Sequence, residues 1–400
     1  MQEVQPQNRI SRMSPLVLIF LTILIDLIGF GIVIPILPLY AESSKFNASP
    51  AVIGWLMGCY SLAQLIFTPI LGQWSDRIGR RPVLLLSMLG TSLGFLVMGL
   101  ADSLWLLFAA RIFDGITGGN ISTAQAYIAD VTPPEERARG MGLIGAGFGL
   151  GFILGPAIGG ELSHFGLNAP FYFAALLALF NVISIYFLLP ESLTPERRAQ
   201  FRESAQTSSS RFHELTEALH RPELRMLVLI YFVLTLAFAT YQPTFSLFAQ
   251  ERYGYSPQQV GRLFVYFGLI AAVVQGGLIG RLTKQFGEKK LLIVGLVVML
   301  ISSALVGEVV STTHLLIVVG LLTTGSALTS SLLPALISRR SAVERQGSTL
   351  GITQSVGSLA RFIGPAWGFS MLGTFGLSAP FWLCASLAAV ALVLALASLD

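Results

Sequence analysis

Four charged residues, Asp26, Arg111, Asp114 and Arg361, stand in stretches of sequence otherwise built from apolar side chains. Asp26 is the twelfth residue of an apolar run that begins at Pro15. As a helix rising about 1.5 Å per residue, that run carries Asp26 about 16 Å inward, near the middle of a hydrocarbon layer about 30 Å thick. An ionised carboxylate at that depth needs a partner, water or a proton, and an acid that loads and releases a proton there could couple transport to a proton gradient. The competing reading is an ion pair with a structural role only.

The stretch 104–129 carries Arg111, Asp114, Gly115, Gly118, Ser122 and Gln125 at spacings of three and four. In one continuous helix these form a single polar face, which lines either a cavity or a tight helix contact. Arg111 held between Asp26 and Asp114 would make a proton-sensitive triad. Alternatively Asp114 pairs with Arg111, three residues away on its own helix. Arg361 shares a helical face with Gln354 and Ser358 and has no acid on its own span. It either bonds carbonyls of neighbouring helices or meets an anionic group, with exchange onto Asp114 a third option. Phe30, Gln125, Tyr241, Gln242 and Gln354, together with Arg361, are the candidates for lining a substrate cavity.

Other chemistries lack the residues. The four histidines, His164, His213, His220 and His314, fall in loops or at the ends of apolar runs, so no metal site is expected within the bundle. No nucleotide-binding loop and no nucleophile–base set is present, so the sequence predicts neither an enzyme nor a cofactor. Cys59 and Cys384 lie in apolar runs and read as packing residues.

The elements that must position these charges follow from composition. With 54% hydrophobic and 12% charged residues and a mean hydropathy of +0.72, the chain has too little polar surface for a soluble globule of its size. Apolar runs at 15–41, 51–72, 83–101, 104–129, 140–163, 169–190, 224–250, 258–280, 290–310, 313–338, 347–373 and 378–398 predict twelve transmembrane helices in an all-α membrane protein. The run after the leader with Arg9 and Arg12 is too long for a signal peptide, so the first span is expected to be retained. Outside the spans, Lys45 and Arg252 are the cations on one side, and the rest gather on the other. This bias predicts both termini in the cytoplasm and explains the net charge of +4 without nucleic acid. Residues 191–223, with Arg197, Arg198, Arg202 and Arg211, read as a cytoplasmic linker with a short surface helix around His213–His220.

The chain also repeats itself at an offset of about 208. Ser49-Pro50…Gly54 returns as Ser256-Pro257…Gly261, Glu136-Arg137 as Glu344-Arg345, Gly155-Pro156 as Gly364-Pro365, and Ala169-Pro170-Phe171 as Ala379-Pro380-Phe381. The loop Gly72…Asp76-Arg77…Gly79-Arg80-Arg81 returns in degenerate form at Gly280…Lys284…Gly287. The reading is two homologous, pseudo-symmetric six-helix bundles, 1–190 and 224–400, joined by 191–223. Neither Asp26, Arg111 nor Asp114 has a charged counterpart in the second copy.

Two further patterns concern motion. Gly147, Gly151, Gly155 and Gly159 form a stripe that permits close helix contact, and Pro156 can kink the helix that carries it. In the loop at 72–82, topology alone accounts for Arg77, Arg80 and Arg81, but not for the glycines spaced by seven.

Gly72…Asp76-Arg77…Gly79-Arg80-Arg81 resembles the signature loop between helices two and three of the major facilitator superfamily. Arg111…Gly115 resembles its fourth-helix motif, and Gly151…Gly155-Pro156…Gly159-Gly160 the fifth-helix motif associated with antiporters. The segment Asp26…Gly29…Gly31…Pro35…Pro38, with the run from Gly115 to Asp130, is similar to tetracycline/proton antiporters and their drug-efflux relatives. Unlike tetracycline carriers, the eighth span has no His, and the ninth has only Glu308, at its outer end. The resemblance implies alternating access of two bundles, with Asp26 carrying the proton, Arg111 as its polar partner, and Asp76 and Arg77 latching the outward-open state.

The function expected is proton-coupled export of amphipathic, drug-like small molecules from a bacterial inner membrane, by a monomer whose partners are lipid, protons and substrate. The alternative is a symporter or facilitator for an endogenous metabolite or lipid, with Arg361 and Arg111 on an anionic group. A receptor or scaffold without flux is the third reading.

Overall fold

The computed structural model describes residues 14–133, 136–198, 222–340 and 346–398, and every regular element among them is helical. The first half contains α1 (Pro15–Glu42), α2 (Pro50–Ile78), α3 (Arg80–Leu100), α4 (Leu104–Thr117), α5 (Asn120–Val131), α6 (Arg137–Leu162) and α7 (Ala169–Leu188). The second contains α8 (Pro222–Tyr253), α9 (Pro257–Val273), α10 (Ile279–Phe286), α11 (Glu288–Val306), α12 (Thr312–Arg340), α13 (Gln346–Phe375) and α14 (Ala379–Ser398). The expected helix around His213–His220 lies outside the described residues, as do Arg9, Arg12, Arg202, Arg211, Glu344 and Arg345.

Several starts are written into the sequence. Ser14, Ser49 and Ser256 precede Pro15, Pro50 and Pro257, and proline in the first turn loses no helical hydrogen bond. At Ser256 the cap is reciprocal: Gln259 N–H donates to the Ser256 hydroxyl at 3.3 Å, and Ser256 N–H donates to the Gln259 side-chain Oε1 at 2.8 Å. Ten helical runs are individually long and apolar enough to span a membrane, with α9, a π-helical turn at Val274–Leu278 and α10 counted as one run. The other two crossings are the α4–α5 pair and α13, which carries Arg361 near its midpoint. Large side chains left outside, such as Trp105 and Phe187, belong against lipid tails.

Two expected elements differ from the sequence reading. The fourth span is not one helix: the backbone turns at Gly118 (φ −72°, ψ 26°) and Gly119 (φ −86°, ψ 12°). Arg111, Asp114 and Gly115 therefore stand on α4 while Ser122 and Gln125 stand on α5, so the six-residue face is two faces. The segment 72–82 is also mostly helix, because α2 runs through Ile78 and α3 starts at Arg80. The reversal falls on Gly79 alone, whose φ of 114° would strain any other residue by about 1–2 kcal/mol. Its repeat partner Gly287 has φ 79° between α10 and α11, which explains why that glycine recurs. Gly72 and Gly280 have open space around them, and nothing in the structure explains their recurrence.

Lipid tails are as apolar as leucine, so helix contact within a membrane gains from close fit rather than from escape from water. The glycine stripe of α6 supplies that fit against α1. A methyl on Gly151 would stand 2.5 Å from Leu27 Cβ, and one on Gly155 2.6 Å from the Ile28 carbonyl oxygen. This seam lies inside the first half.

The two halves meet along two other seams, α2 with α13 and α6 with α9, and the repeated motifs are what touch. A methyl on Gly54 would lie 2.7 Å from the Pro365 carbonyl oxygen, and one on Gly261 would lie 2.6 Å from the Pro156 carbonyl oxygen. Each half thus presses the glycine after its Ser-Pro start onto the Gly-Pro of the other. Gly160 approaches Gly261, and Gly58 meets the Phe362 carbonyl, at the same end. Farther along both seams the contact ends. Gly142, Gly145 and Gly149 on α6, Gly276 and Gly277 in the π turn, and Gly351 on α13 have nothing within 4 Å. The close backbone contacts between the halves therefore lie toward the end remote from the termini, and toward the other end these glycines face open space.

Candidate functional site

Three helices bring the charges of the first half together. α2 crosses α4 closely because Gly115 has no side chain: a methyl there would stand 2.5 Å from the Tyr60 carbonyl oxygen. Gly118 admits the Tyr60 hydroxyl in the same way, and Gln64 ties the crossing by donating to the Gly118 carbonyl at 2.8 Å and to the Tyr60 hydroxyl at 3.2 Å. The ring of Tyr60 then lies under Arg111, with the guanidinium carbon 4.3 Å from its centroid. A guanidinium over an aromatic face in a dry site is held by about 1–2 kcal/mol.

Arg111 and Asp114 are both buried, and Arg111 Nη1 donates to Asp114 Oδ2 at 3.3 Å. Arg111 Nε has no hydrogen-bond partner among the described residues. Asp26, also buried, forms no salt bridge with Arg111. Its side chain meets Asn120, the first residue of α5, with Asp114 the nearest like charge. The expected triad is therefore a pair, Arg111 with Asp114, beside a separate Asp26–Asn120 contact. The break at Gly118-Gly119 sets Asn120 at the start of α5, where its Nδ2 donates to Met88 Sδ at 3.6 Å and its side chain also approaches Asp26. Asp26 and Asp114 are the only buried carboxylates among the described residues.

The other candidate cavity residues divide. Phe30 packs on Tyr60 and Phe152, with ring centroids 6.2 and 6.0 Å apart. Gln125 and Gln242 are partly buried and Gln354 is exposed. Tyr241 sits in the core of the second half against Phe238, Ser326 and Cys384. Arg361 is partly buried, donates to Ser358 Oγ at 2.9 Å, and faces Tyr231 and Tyr60. Tyr60 lies within electrostatic reach of Asp26, Arg111, Asp114 and Arg361, so it is the hub on which both halves converge. Sequence reading misses it, because a tyrosine among apolar residues signals packing as well as function. Asn120 is missed for lack of any view of the helix break.

A second polar cluster holds the α2–α3 corner. Arg80 reaches back to Asp76 at 2.6 Å and Ser75 Oγ at 2.6 Å, and across to Asp130 at 3.1 Å. Glu191, just beyond α7, accepts the backbone N–H groups of Arg80 at 2.9 Å and Arg81 at 3.2 Å, capping the amino-terminal end of α3. Arg198 pairs with Glu191 at 3.4 Å, and Ser192 donates to Asp130 at 3.0 Å. The Arg81 guanidinium donates to the Tyr186 carbonyl, and Arg77 is exposed. The start of the 191–223 linker thus folds onto the first half. Glu191 and Asp130 complete a network of which the sequence motif shows only one side. Outside the membrane-spanning runs, the neighbouring Glu196 carboxyl is held below its ordinary value by hydrogen bonds to its own backbone and to Thr194.

The antiporter-type residues of α6 serve two contacts: Gly151, Gly155 and Gly159 pack on α1, while Gly160 and the Pro156 carbonyl meet α9.

The family model of the Major Facilitator Superfamily matches residues 19–365 and 227–400. Multidrug resistance protein 2 of Bacillus subtilis (strain 168) is 32% identical over 361 residues, 88% of this chain and 87% of that protein. Tetracycline resistance protein, class C, of Escherichia coli is 34% identical over 354 residues, 88% of each. Among solved structures, the human organic anion transporter MFSD10 (TETRAN) superposes with a TM-score of 0.70 at 28% identity, covering 95% of this chain and 98% of that one.

Proposed function

Because this chain belongs to the major facilitator superfamily, we propose that it exports amphipathic, drug-like small molecules in exchange for protons. The family consists of membrane transporters rather than enzymes, and the chain is a multi-pass protein of the bacterial inner membrane. The relatives support the cargo class: a multidrug resistance protein and a tetracycline resistance protein each match most of the chain.

One observation carries the proton-coupling part. The two buried carboxylates, Asp26 and Asp114, lie within electrostatic reach of each other inside the first half, beside Arg111 and Tyr60. Asp26 has no cation of its own. A proton or a cationic substrate group can therefore neutralise it, and competition between the two gives exchange. Arg111 holds Asp114 and the Tyr60 ring in place beside it. With the termini cytoplasmic, as the cation bias predicts, the open end faces the cytoplasm, where an exporter collects its cargo. The corner of Asp76, Arg80, Asp130 and Glu191 then lies at the cytoplasmic rim, where rearrangement would accompany closure. The protein works as a monomer in this reading.

Flux under an imposed pH gradient tests this. In vesicles with an acidic extracellular-side compartment, wild type is expected to expel an amphipathic dye such as ethidium against its gradient, and Asp26→Asn to lose the proton-driven component while inserting normally. Proton-driven expulsion at the wild-type rate by Asp26→Asn contradicts the coupling role. The symporter alternative draws on Arg361 and Arg111 and gives the opposite sign, with substrate moving down the proton gradient.

A further inference from the structure

Resting on the transport reading above, we infer that the site takes amphipathic zwitterions, with Arg361, Ser358 and Tyr231 holding the anionic group while Asp26 faces the cationic one. The argument begins with how charge is divided between the halves. In the first half Arg111 is compensated by Asp114, its partner at 3.3 Å, and Asp26 remains as an acid without a cation. The second half holds the reverse. Arg361 lies near the middle of α13, its hydrogen bonds go to neutral groups, Ser358 Oγ at 2.9 Å and Tyr231, and no described carboxylate forms a salt bridge with it. The acids described in that half, Glu251, Glu288 and Glu308, stand at helix ends rather than in the middle of a span.

A cation kept in low dielectric without a counter-charge is costly, and an anionic ligand group that supplies two or more charge-assisted hydrogen bonds relieves that cost. The guanidinium is well suited to a planar carboxylate, whose two oxygens match its fork. Gly357 lets Tyr231 and Arg361 pack side by side: a methyl there would stand 3.1–3.3 Å from the Tyr231 ring, its hydroxyl and Arg361 Nη1. Tyr60 stands near both ends of the site: its ring is 6.2 Å from that of Phe30, one turn after Asp26, and its helix packs at Gly58 on Phe362, next to Arg361. With Phe30 and Phe152 it offers an apolar aromatic body between two opposite charges. A monoanion would use only the second-half end, and protonation of Asp26 would help it bind, which is the wrong sign for exchange. A zwitterion uses both ends, and its ammonium competes with the proton for Asp26.

Three fluorescent compounds with one naphthalene body separate the classes: 6-(aminomethyl)-2-naphthoic acid (a zwitterion with its charges at opposite ends of the rings), its methyl ester (a cation) and its N-acetyl derivative (an anion). In proteoliposomes with an imposed pH gradient, wild type is expected to move the zwitterion about ten-fold faster than either derivative at equal concentration. Arg361→Gln should lose that preference, and Arg361→Lys should retain part of it. Membrane insertion and a single gel-filtration peak in detergent serve as the folding control for both variants. Equal or faster transport of the ester by wild type overturns the inference, as does a uniform loss of all three compounds in both variants. Transport of ethidium but none of the three compounds also overturns it and leaves the export reading standing. Absence of any gradient-driven flux, ethidium included, is the failure of that underlying reading and removes the inference with it.

Discussion

Among single residues, Tyr60 joins the two halves of the site. Its ring face carries the Arg111 guanidinium, and its hydroxyl accepts from Gln64, so the two contributions can be separated. The stacked guanidinium is worth about 1–2 kcal/mol and the neutral hydrogen bond about 1 kcal/mol. Tyr60→Phe keeps the ring and is expected to retain transport within about threefold, whereas Tyr60→Ala should lower it at least about ten-fold. Initial rates of dye efflux at matched expression check this, and a Phe variant as impaired as the Ala variant would assign the role to the hydroxyl. Asp26, Arg111, Asp114 and Arg361 were legible in the sequence because charge inside an apolar run is anomalous wherever it occurs. Tyr60 and Asn120 were not, since neither is anomalous until the α2–α4 crossing and the turn at Gly118-Gly119 place them.

At the level of helices, the contacts between halves are set by glycines and not by ions. The ion pair of Glu161 with Arg262 at 3.1 Å crosses the same α6–α9 seam, but both side chains are more than half exposed, where pairing adds little. A side chain on Gly261 has no such latitude, because its first carbon would stand 2.6 Å from a backbone oxygen. Gly261→Val is therefore expected to hold the outer end ajar, slowing efflux at least about ten-fold through overpacking of a few kcal/mol. Thiol labelling of a cysteine placed at Gln258 should rise in the same variant. Unchanged labelling and efflux would mean that the seam is not closed by that contact. The sequence showed where most helices run, since their apolar lengths match the bilayer. It concealed the broken fourth span, because spacings of three and four continue across Gly118-Gly119 as if the helix did. It also presented 72–82 as a loop, because polar residues at a helix end carry the same composition as a loop.

For the whole molecule, duplication and its loss of symmetry divide the labour. The repeated features, Ser-Pro…Gly and Gly-Pro, are the ones that meet across the seams, so each half supplies what the other needs to close. The pairs predict a duplicated chain from sequence alone, but that the repeated motifs dock on one another was not legible, since an offset carries no information about contact. The unrepeated charges divide between the halves, an acid without a salt bridge in the first and a guanidinium bonded to neutral groups in the second. The proposed exchange rests on a single requirement, that a proton and a substrate not occupy Asp26 together. Proton release on binding tests that requirement most directly. Purified protein in weak buffer, titrated with a compound that flux has identified as cargo, is expected to acidify the solution in proportion to occupancy, and Asp26→Asn is expected to bind with no acidification. Wild-type binding with no proton release, or release of the same size from Asp26→Asn, would contradict the account.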